Sequence, residues 1–409
     1  VNYARGAAGR AVSDAWEEFD SGAYARVADV YPKVKLDGRW WLPDGGLRAF
    51  TQEELISYLR EVSELDSSPG LPWISDGCKE VRDVLERFPS ELYQRVRDRL
   101  LARLSWLNSD GELSELNGVG VVAYNLRDPT RIFVKNEVHS KEKISSGRVR
   151  LIMNVSFTDI VIERLLGDAT ATTEVAQFTR HPSCTGMGLS DQGGAAISRM
   201  IFRPTRAGAR PRGGDVSAFD WSVSEGALKA AALVENLQCG QPPESIYAQL
   251  NLQQARLTAR KLFVLADGTV CEARGVGVQE SGSRRTHCYN SKIRYLASSL
   301  FLGNEECITN GDDDVEWLTD SEVSAAPALY RERTGWKVEF PEFPDGAVEF
   351  CSTKWFPDGR FYPTSWPKSL YRLLSHAPNW ELYSQFAYEM RHLPERDELL
   401  SFVRRVWDL

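Results

Sequence analysis

The residues of this chain best suited to chemistry are aspartates placed at turns. Asn310-Gly311-Asp312-Asp313-Asp314 lies between Cys307-Ile308-Thr309 and Val315-Glu316-Trp317, so apolar or β-branched residues flank a turn-forming Asn-Gly. This pattern predicts a short β-hairpin with carboxylates at its tip. Like charges crowded at one exposed point cost stability unless a cation sits among them, and a divalent metal with oxygen ligands is the simplest such cation. A solvated acidic turn explains Gly-Asp-Asp equally well when it is taken alone, because the tripeptide arises by chance in on the order of one chain in ten of this length. Its companions decide the matter.

A second acidic element, Asp215-Val216-Ser217-Ala218-Phe219-Asp220, follows Pro211-Arg212-Gly213-Gly214. Its two aspartates would fall on opposite faces of a continuous strand, but a strand that turns into a helix after Ala218 can aim both at one pocket. Carboxylates from separate strands can hold two divalent ions roughly 3.5–4 Å apart, which clamp the attacking and leaving oxygens of an in-line phosphoryl displacement. Asp215 and Asp312 are the natural bridging ligands, with Asp313 secondary. Mg²⁺ suits an all-oxygen shell completed by water and substrate phosphates, with Mn²⁺ as a substitute.

A triphosphate also needs cations, and two basic windows offer them. Arg131, Lys135, Lys141, Lys143, Arg148 and Arg150 stand against Glu137 and Glu142; Arg199, Arg203, Arg206, Arg210 and Arg212 stand with no acid between them. Lysine supplies point charges and arginine bidentate donors. Between the acidic elements, Gly275-Val276-Gly277 opens a flexible loop that carries Ser281 and Gly282 into a helix. Thr286 and Asn290, four apart, share a face of that helix.

Stepping outward, the chain has 409 residues, 42% hydrophobic and 26% charged, as in an ordinary globular enzyme divided into two or three lobes. The formal net charge of −8 argues weakly against a nucleic-acid binder, but the local field in a groove matters more than the sum. Seven scattered cysteines, never in a CxxC pair, point to a reducing compartment and away from zinc. No apolar run approaches the roughly 20 residues of a membrane span. A first residue of Val rather than Met suggests a chain cut from a longer one.

The elements that must position these groups are legible from spacing. Thr51-Gln52-Glu53-Glu54 is a capping box ahead of Leu55, Tyr58, Leu59 and Val62. Ser67-Ser68-Pro69-Gly70 breaks that helix, and helical spacing resumes from about Glu80 to Leu107 with an interruption at Pro89. Residues 131–138 have strand character, 225–237 helical periodicity, and 261–274 the look of a hairpin around Asp267-Gly268. Phe350-Cys351-Ser352-Thr353-Lys354-Trp355 suggests another strand pair. The last fifty residues are helical, with two stripes expected to be packing: Trp380, Tyr383, Phe386, Ala387 and Met390, then Leu399, Phe402, Val403, Val406 and Trp407.

Taken together, Asp215-x4-Asp220, Ser281-Gly282-x3-Thr286-x3-Asn290 and Gly311-Asp312-Asp313 resemble, in order and separation, the motifs of viral RNA-dependent RNA polymerases of the positive-strand type. Lys135-x-Glu137, Lys143, Arg148 and Arg150-Leu151-Ile152 are similar to that family's nucleotide-admitting motif. Ser68-Pro69-Gly70 resembles its template-channel loop, and Phe350-Cys351-Ser352 its primer-grip hairpin. The wording around Asp215 is most similar to the sobemovirus and polerovirus group.

The resemblance implies an α+β right-hand fold with interleaved fingers, palm and a small helical thumb. It divides the chain into fingers (1–172), palm with the first metal motif (173–250), a fingers insertion (251–275), palm with the remaining motifs (276–362) and thumb (363–409). It implies an enzyme that copies a viral RNA genome from NTPs on a single-stranded RNA template. Asp215, Asp312 and Asp313 would then be the metal ligands and catalytic carboxylates. Asp220 and Asn290 would read the ribose 2′-hydroxyl. Ser281 and Gly282 would belong to a loop moving with the template, Lys143, Arg148 and Arg150 would line the triphosphate path, and Lys135 and Thr286 would join them in binding substrate.

Lys337 would be a general acid for departing pyrophosphate. Asp314 is expected to face outward rather than add a ligand, and Ala218 stands where relatives often have Gly. The resemblance further implies nascent RNA and a genome-linked protein primer as partners. It places the protein in host cytoplasm, in replication complexes tied to membranes through other components. Two rivals remain on the sequence. A reverse transcriptase would put a bulky ring where Asp220 and Asn290 offer polar partners, and a non-catalytic RNA-binding palm would not need clustered acids.

Overall fold

The computed structural model describes residues 13–42, 44–108, 113–139, 141–147, 149–272 and 277–408; Arg148 and the Gly275-Val276 step lie outside the described residues. Its strands, in chain order, are β1 (Thr130–Val134), β2 (Leu151–Asn154), β3 (Arg210–Val216), β4 (Leu262–Val264), β5 (Val270–Glu272), β6 (Cys307–Asn310), β7 (Asp313–Leu318), β8 (Val338–Glu339), β9 (Val348–Phe350), β10 (Thr353–Trp355) and β11 (Phe361–Pro363). They form three sheets, ordered β2-β1-β4-β5, β6-β7-β3-β8 and β11-β10-β9.

The central sheet, β6-β7-β3-β8, is antiparallel throughout, with Gly213 opposite Val315 and Gly214 opposite Asp314. Side chains alternate across such a sheet, and here both sides are covered. Cys307, Leu318 and Val216 face the helix Thr286–Phe301, whose Tyr289, Ile293 and Leu296 join them in one core with the helix Glu225–Gln238. Ile308, Val315 and Trp317 face the other way, against Ile197 and Ile201 of the helix Asp191–Ile201 and against Phe350, Trp355 and Phe361. Val315 and Ile308 are fully or almost fully buried, and each such side chain contributes about 1.5–3 kcal/mol. This two-sided burial makes the sheet a rigid floor.

Over that floor stands a second core. The helices Gln52–Val62, Val81–Arg87, Pro89–Leu107 and Phe157–Ala176 bring together Leu55, Leu59, Val84, Leu92, Val96, Val161 and Ile162. The expected capping box at Thr51 and Glu54 is formed, and Pro89 opens a helix rather than kinking one. The β4–β5 hairpin pairs with β1 and not with the central sheet. Among the described residues no helix is long and apolar enough to cross a membrane.

The chain ends in three helices, Trp366–Leu374, Trp380–Glu389 and Arg396–Trp407. Tyr383, Phe386, Met390, Leu399, Val403 and Trp407 form their core as expected. Trp380, Phe402 and Val406 do not join it, being 58%, 41% and 53% exposed. Trp380 opens its helix and touches only the edge of Tyr383. Phe402 and Val406 lie four apart on the outer side of a helix whose inner side is already supplied by Leu399, Val403 and Trp407.

Candidate active site

The acidic hairpin forms as its sequence requires. Asn310 pairs with Asp313 across a two-residue turn, and Gly311 at the turn takes φ +70°, a region glycine enters without penalty. Asp312 is exposed at the tip and Asp313 is half-buried. Asp215 is the penultimate residue of β3, one beyond the Gly214–Asp314 pair, so strand alternation places it on the same face as Asp313 and opposite to Asp314. The two glycines before Asp215 are sterically required. A Cβ on Gly213 would lie 2.1 Å from the Glu349 carbonyl oxygen, and one on Gly214 2.2 Å from Asp314 Oδ1.

The carboxylates feel one another. Burial and the neighbouring charges of Asp312 and Glu339 hold the Asp215 carboxyl above its ordinary range. Burial, then Asp312 and Asp215, push Asp313 up to about 7. Among the described residues no lysine or arginine forms an ion pair with Asp215, Asp312 or Asp313. Nor do three His, Cys, Asp or Glu side chains close into a complete metal shell among those residues. Mg²⁺ seldom uses such a cage. It is held by one or two carboxylates, with water and substrate phosphates supplying the remainder. A pair of self-repelling acids with no cationic partner therefore fits a divalent ion that arrives with substrate.

The turn from β3 into the short helix Phe219–Ser222 passes through Ala218 at φ +56°, ψ +46°. This left-handed residue turns the chain between Asp215 and Asp220. Non-glycine residues pay roughly 1–2 kcal/mol there, and Ala218 bears that strain. Asn290 Nδ2 donates to Asp220 Oδ1 at 3.1 Å, joining the two residues expected to read the sugar. Burial and the charge of Asp312 push Asp220 up to about 6, against the pull of the Asn290 hydrogen bond. Asn290 Oδ1 is buried and has no hydrogen-bond partner.

Asp220, Asn290, Asp312, Arg150, Ser281, Gly282 and Thr286 all line one groove of about 820 Å³. Its far wall includes Ser67, Ser68, Ile160 and Arg164. Ser68 Oγ donates to Asn154 Oδ1 at 3.1 Å, and Gly70 sits so close to Val155 that a Cβ would meet its carbonyl oxygen at 2.5 Å. The 281–286 loop is laid against β2 in the same manner: Met153 N donates to Ser281 Oγ at 3.2 Å, and a Cβ on Gly282 would reach Met153 O at 2.2 Å. Thr286 Oγ1 donates to the carbonyls of Glu280 and Ser283, closing the loop on its helix.

Other expected groups lie elsewhere. Lys135 is ion-paired with Glu137 at 3.3 Å and does not line the groove. Lys143 is exposed on the short helix Lys141–Ser145, also off the groove. Lys337 is paired with Glu339 at 2.6 Å, each side chain 60% exposed, outside the groove.

The arginine-rich window at 199–212 does not flank the site, contrary to expectation. Arg206 binds Glu306 and Glu322, Arg212 binds Asp320 and Glu342, and Arg203 lies over the Trp317 ring. Arg203 and Arg206 lie in the loop before β3, whose rise of roughly 3.3 Å per residue separates that loop from Asp215, and their partners stand at the far end of the sheet.

Asp314 also departs from expectation. It is 1% exposed and ion-paired with Arg294, which is 0% exposed. Alternation forces this: Asp313 and Asp314 take opposite faces of β7, and the face of Asp314 packs on the helix Thr286–Phe301, where Arg294 meets it. Several groove residues were not foreseen. Arg164 and Arg284, both bound to Asp168, put two guanidinium groups on the wall opposite Asp312. His287 contacts Asn310 at 2.6 Å, and Asn310 Nδ2 contacts Cys351 Sγ at 3.1 Å. That second contact ties the acidic hairpin to the β9–β10 turn, where Cys351 and Ser352 both have positive φ.

Comparison with known proteins agrees with this geometry. A family profile described as "Viral RNA-directed RNA-polymerase" matches residues 112–338. The RNA-directed RNA polymerase of Mushroom bacilliform virus is 30% identical over 367 residues, covering 83% of each chain. The replicase polyprotein P2AB of Cocksfoot mottle virus is 33% identical over 363 residues, covering 86% of this chain and 36% of its own. Protein P1-P2 of Potato leafroll virus is 29% identical over 326 residues, covering 76% of this chain and 29% of its own. The chain thus spans roughly a third of the length of these two longer relatives. In three dimensions it is similar to the Sicinivirus 3Dpol RNA dependent RNA polymerase, with a TM-score of 0.65, 15% identity, and coverage of 95% of this chain and 79% of the other. The right-hand polymerase fold and the ordered motifs on its groove have one reading: this chain belongs to the viral RNA-directed RNA polymerase family.

Proposed function

We propose that the chain extends RNA on a single-stranded RNA template by nucleotidyl transfer from NTPs, within viral genome replication. The observation that carries this reading is the convergence of Asp312, the Asp220–Asn290 pair and Arg150 on one groove. Asp215 and Asp312, with Asp313, are the residues that would hold Mg²⁺, or Mn²⁺ in its place. A divalent ion bound there supplies Lewis-acid stabilisation of the attacking hydroxyl and the departing phosphates. Arg150 gives the triphosphate a bidentate donor.

Asn290 Oδ1, buried without a partner, is satisfied by a ribose 2′-hydroxyl acting as donor, which a deoxyribose cannot provide. Ser281 and Gly282 border the template path with Ser68. A role for Lys337 as the general acid requires it to exchange Glu339 for the departing pyrophosphate. In this reading residues 1–172 and 251–275 are fingers, 173–250 and 276–362 palm, and 363–409 thumb. A protein primer at the RNA 5′ end and a cytoplasmic, membrane-associated replication complex complete the proposal.

The test is Asp312→Ala. Nucleotide incorporation should fall by at least about a thousandfold, the scale of losing a principal electrostatic group, while RNA binding measured by filter retention stays within about twofold. Synthesis near the wild-type rate would overturn the metal assignment.

A further inference from the structure

The helix Thr286–Phe301 carries an unusual stripe. His287, Ser291, Arg294 and Ser298 recur at spacings of four, three and four, so they share one side of the helix. Each meets the acidic hairpin. His287 Nε2 and Asn310 Oδ1 are 2.6 Å apart, and Gly311 N donates to Ser291 Oγ at 2.8 Å. Arg294 is ion-paired with Asp314, and Ser298 Oγ donates to Glu316 Oε2 at 2.8 Å. Asn290, the sugar reader of the proposed function, lies three residues after His287 and four before Arg294. The helix that presents Asn290 and the hairpin that presents Asp312 are therefore joined residue to residue by polar contacts along their length.

Stability alone does not account for the deepest of these contacts. Arg294 and Asp314 have side chains 0% exposed, and a buried ion pair is often matched or surpassed by well-packed apolar residues of similar volume. The pair is also incompletely satisfied, because Arg294 Nε and Nη1 and Asp314 Oδ1 have no hydrogen-bond partner. Room for it exists only because residue 214 is glycine, whose Cβ would stand 2.2 Å from Asp314 Oδ1 and 3.0 Å from Arg294 Nη2. An apolar interface between a helix and a strand tolerates sliding; a charged pair in a closed slot permits one register. Tyr330 reinforces that register, donating to Glu316 at 2.7 Å and lying under the Arg294 guanidinium at 5.5 Å.

We propose that Asp314 and Arg294 are positioning residues for ribose selection, fixing the helix that carries Asn290 against the hairpin that carries Asp312 so that the sugar is read at a set distance from the reacting phosphate. This rests on the polymerase reading given above. The expected signature is a change in discrimination rather than in RNA affinity. A helix released from its register still presents Asn290, but no longer where only a ribonucleotide satisfies it.

The experiment compares single-nucleotide incorporation of NTP and dNTP, as kcat/KM for each, in the wild type and three variants, alongside the thermal unfolding midpoint. Asp314→Asn keeps the shape and removes the charge; it should lower the NTP-to-dNTP ratio by about tenfold, with most of the loss in kcat for NTP. The double variant Asp314→Leu with Arg294→Met should regain the midpoint but not the ratio. Glu174→Gln is the control. It breaks the buried Lys292–Glu174 pair on a different face of the same helix and should lower the midpoint with the ratio unchanged. Where Asp314→Asn does not fold, Arg294→Lys, which keeps the charge, should fold and show a smaller loss of ratio. An unchanged ratio in Asp314→Asn and in the double variant, or an equal loss in Glu174→Gln, would overturn the proposal. Failure of the wild type to incorporate any nucleotide would instead overturn the polymerase reading.

Discussion

Ala218 shows how one backbone conformation serves the site. With φ +56° it turns the chain between Asp215 and Asp220, and an alanine there bears strain that glycine does not. Ala218→Gly should raise stability by about 0.5–1 kcal/mol, since the relief of roughly 1–2 kcal/mol is partly offset by glycine's greater unfolded-state entropy. Urea unfolding measures this, and a lower midpoint would contradict the strain argument. The sequence made the position visible, because a strand that must become a helix at Ala218 needs a sharp turn. It did not disclose the fate of Asp314. That required the register of β3 against β7, which decides which of three consecutive acids faces the groove and which faces Arg294.

At the scale of elements, the hairpin, the strand-to-helix turn and the helix from Thr286 were all legible, because each is written in local spacing and turn chemistry. The arginine window at 199–212 misled because charge density in a sequence carries no direction. Its residues run from the end of the helix Asp191–Ile201 through a loop into the start of β3, and Arg206 and Arg212 find carboxylates there. The polar stripe at 287, 291, 294 and 298 was equally present in the sequence. Polar residues at helical spacing normally read as a solvent face, and only the burial of that side turns the stripe into a joint.

The hairpin also makes a thermodynamic prediction. Asp215, Asp220 and Asp313 all hold protons more tightly folded than unfolded, Asp313 near 7 and Asp220 near 6. Such raised carboxyls contribute stability below their unfolded pKa of about 4, and that contribution is lost as pH rises through 6 and 7. A divalent cation held by the carboxylates as proposed would replace those protons. Mg²⁺ or Mn²⁺ should therefore raise the thermal midpoint more at pH 8 than at pH 5.5, and Asp312→Ala should diminish the difference. An equal rise at both pH values would contradict proton-coupled metal binding at this site.

Across the whole molecule, the sheet pairings least readable from sequence are those between distant segments. The parallel pairing of β1 with β4 joins residues more than a hundred positions apart and leaves no local signature. A second long-range contact brings the chain's end to its basic window: Glu137 accepts Lys368 at 3.1 Å as well as Lys135, with Arg372 at 3.8 Å. The proposed thumb thus reaches the proposed fingers at the Glu137 carboxylate, while its three helices keep a small core of their own. On the proposed division, a thumb of this size would leave space for a primer. Primed extension should exceed unprimed initiation on the same template by at least about tenfold, judged against a tenfold step of about 1.4 kcal/mol in barrier; efficient unprimed synthesis would contradict it.

The central claim is that the groove lined by Asp312, whose charge acts on Asp215 and Asp313, is also lined by the ribose reader Asn290 with Asp220. Its most direct test is extension of a primed template with Mg²⁺, comparing NTPs with dNTPs on RNA and on DNA templates, for the wild type and Asn290→Ala. The wild type should extend with NTPs on RNA and largely refuse dNTPs, and Asn290→Ala should extend with that preference narrowed. Preferential incorporation of dNTPs, or an unchanged preference in Asn290→Ala, would contradict the account.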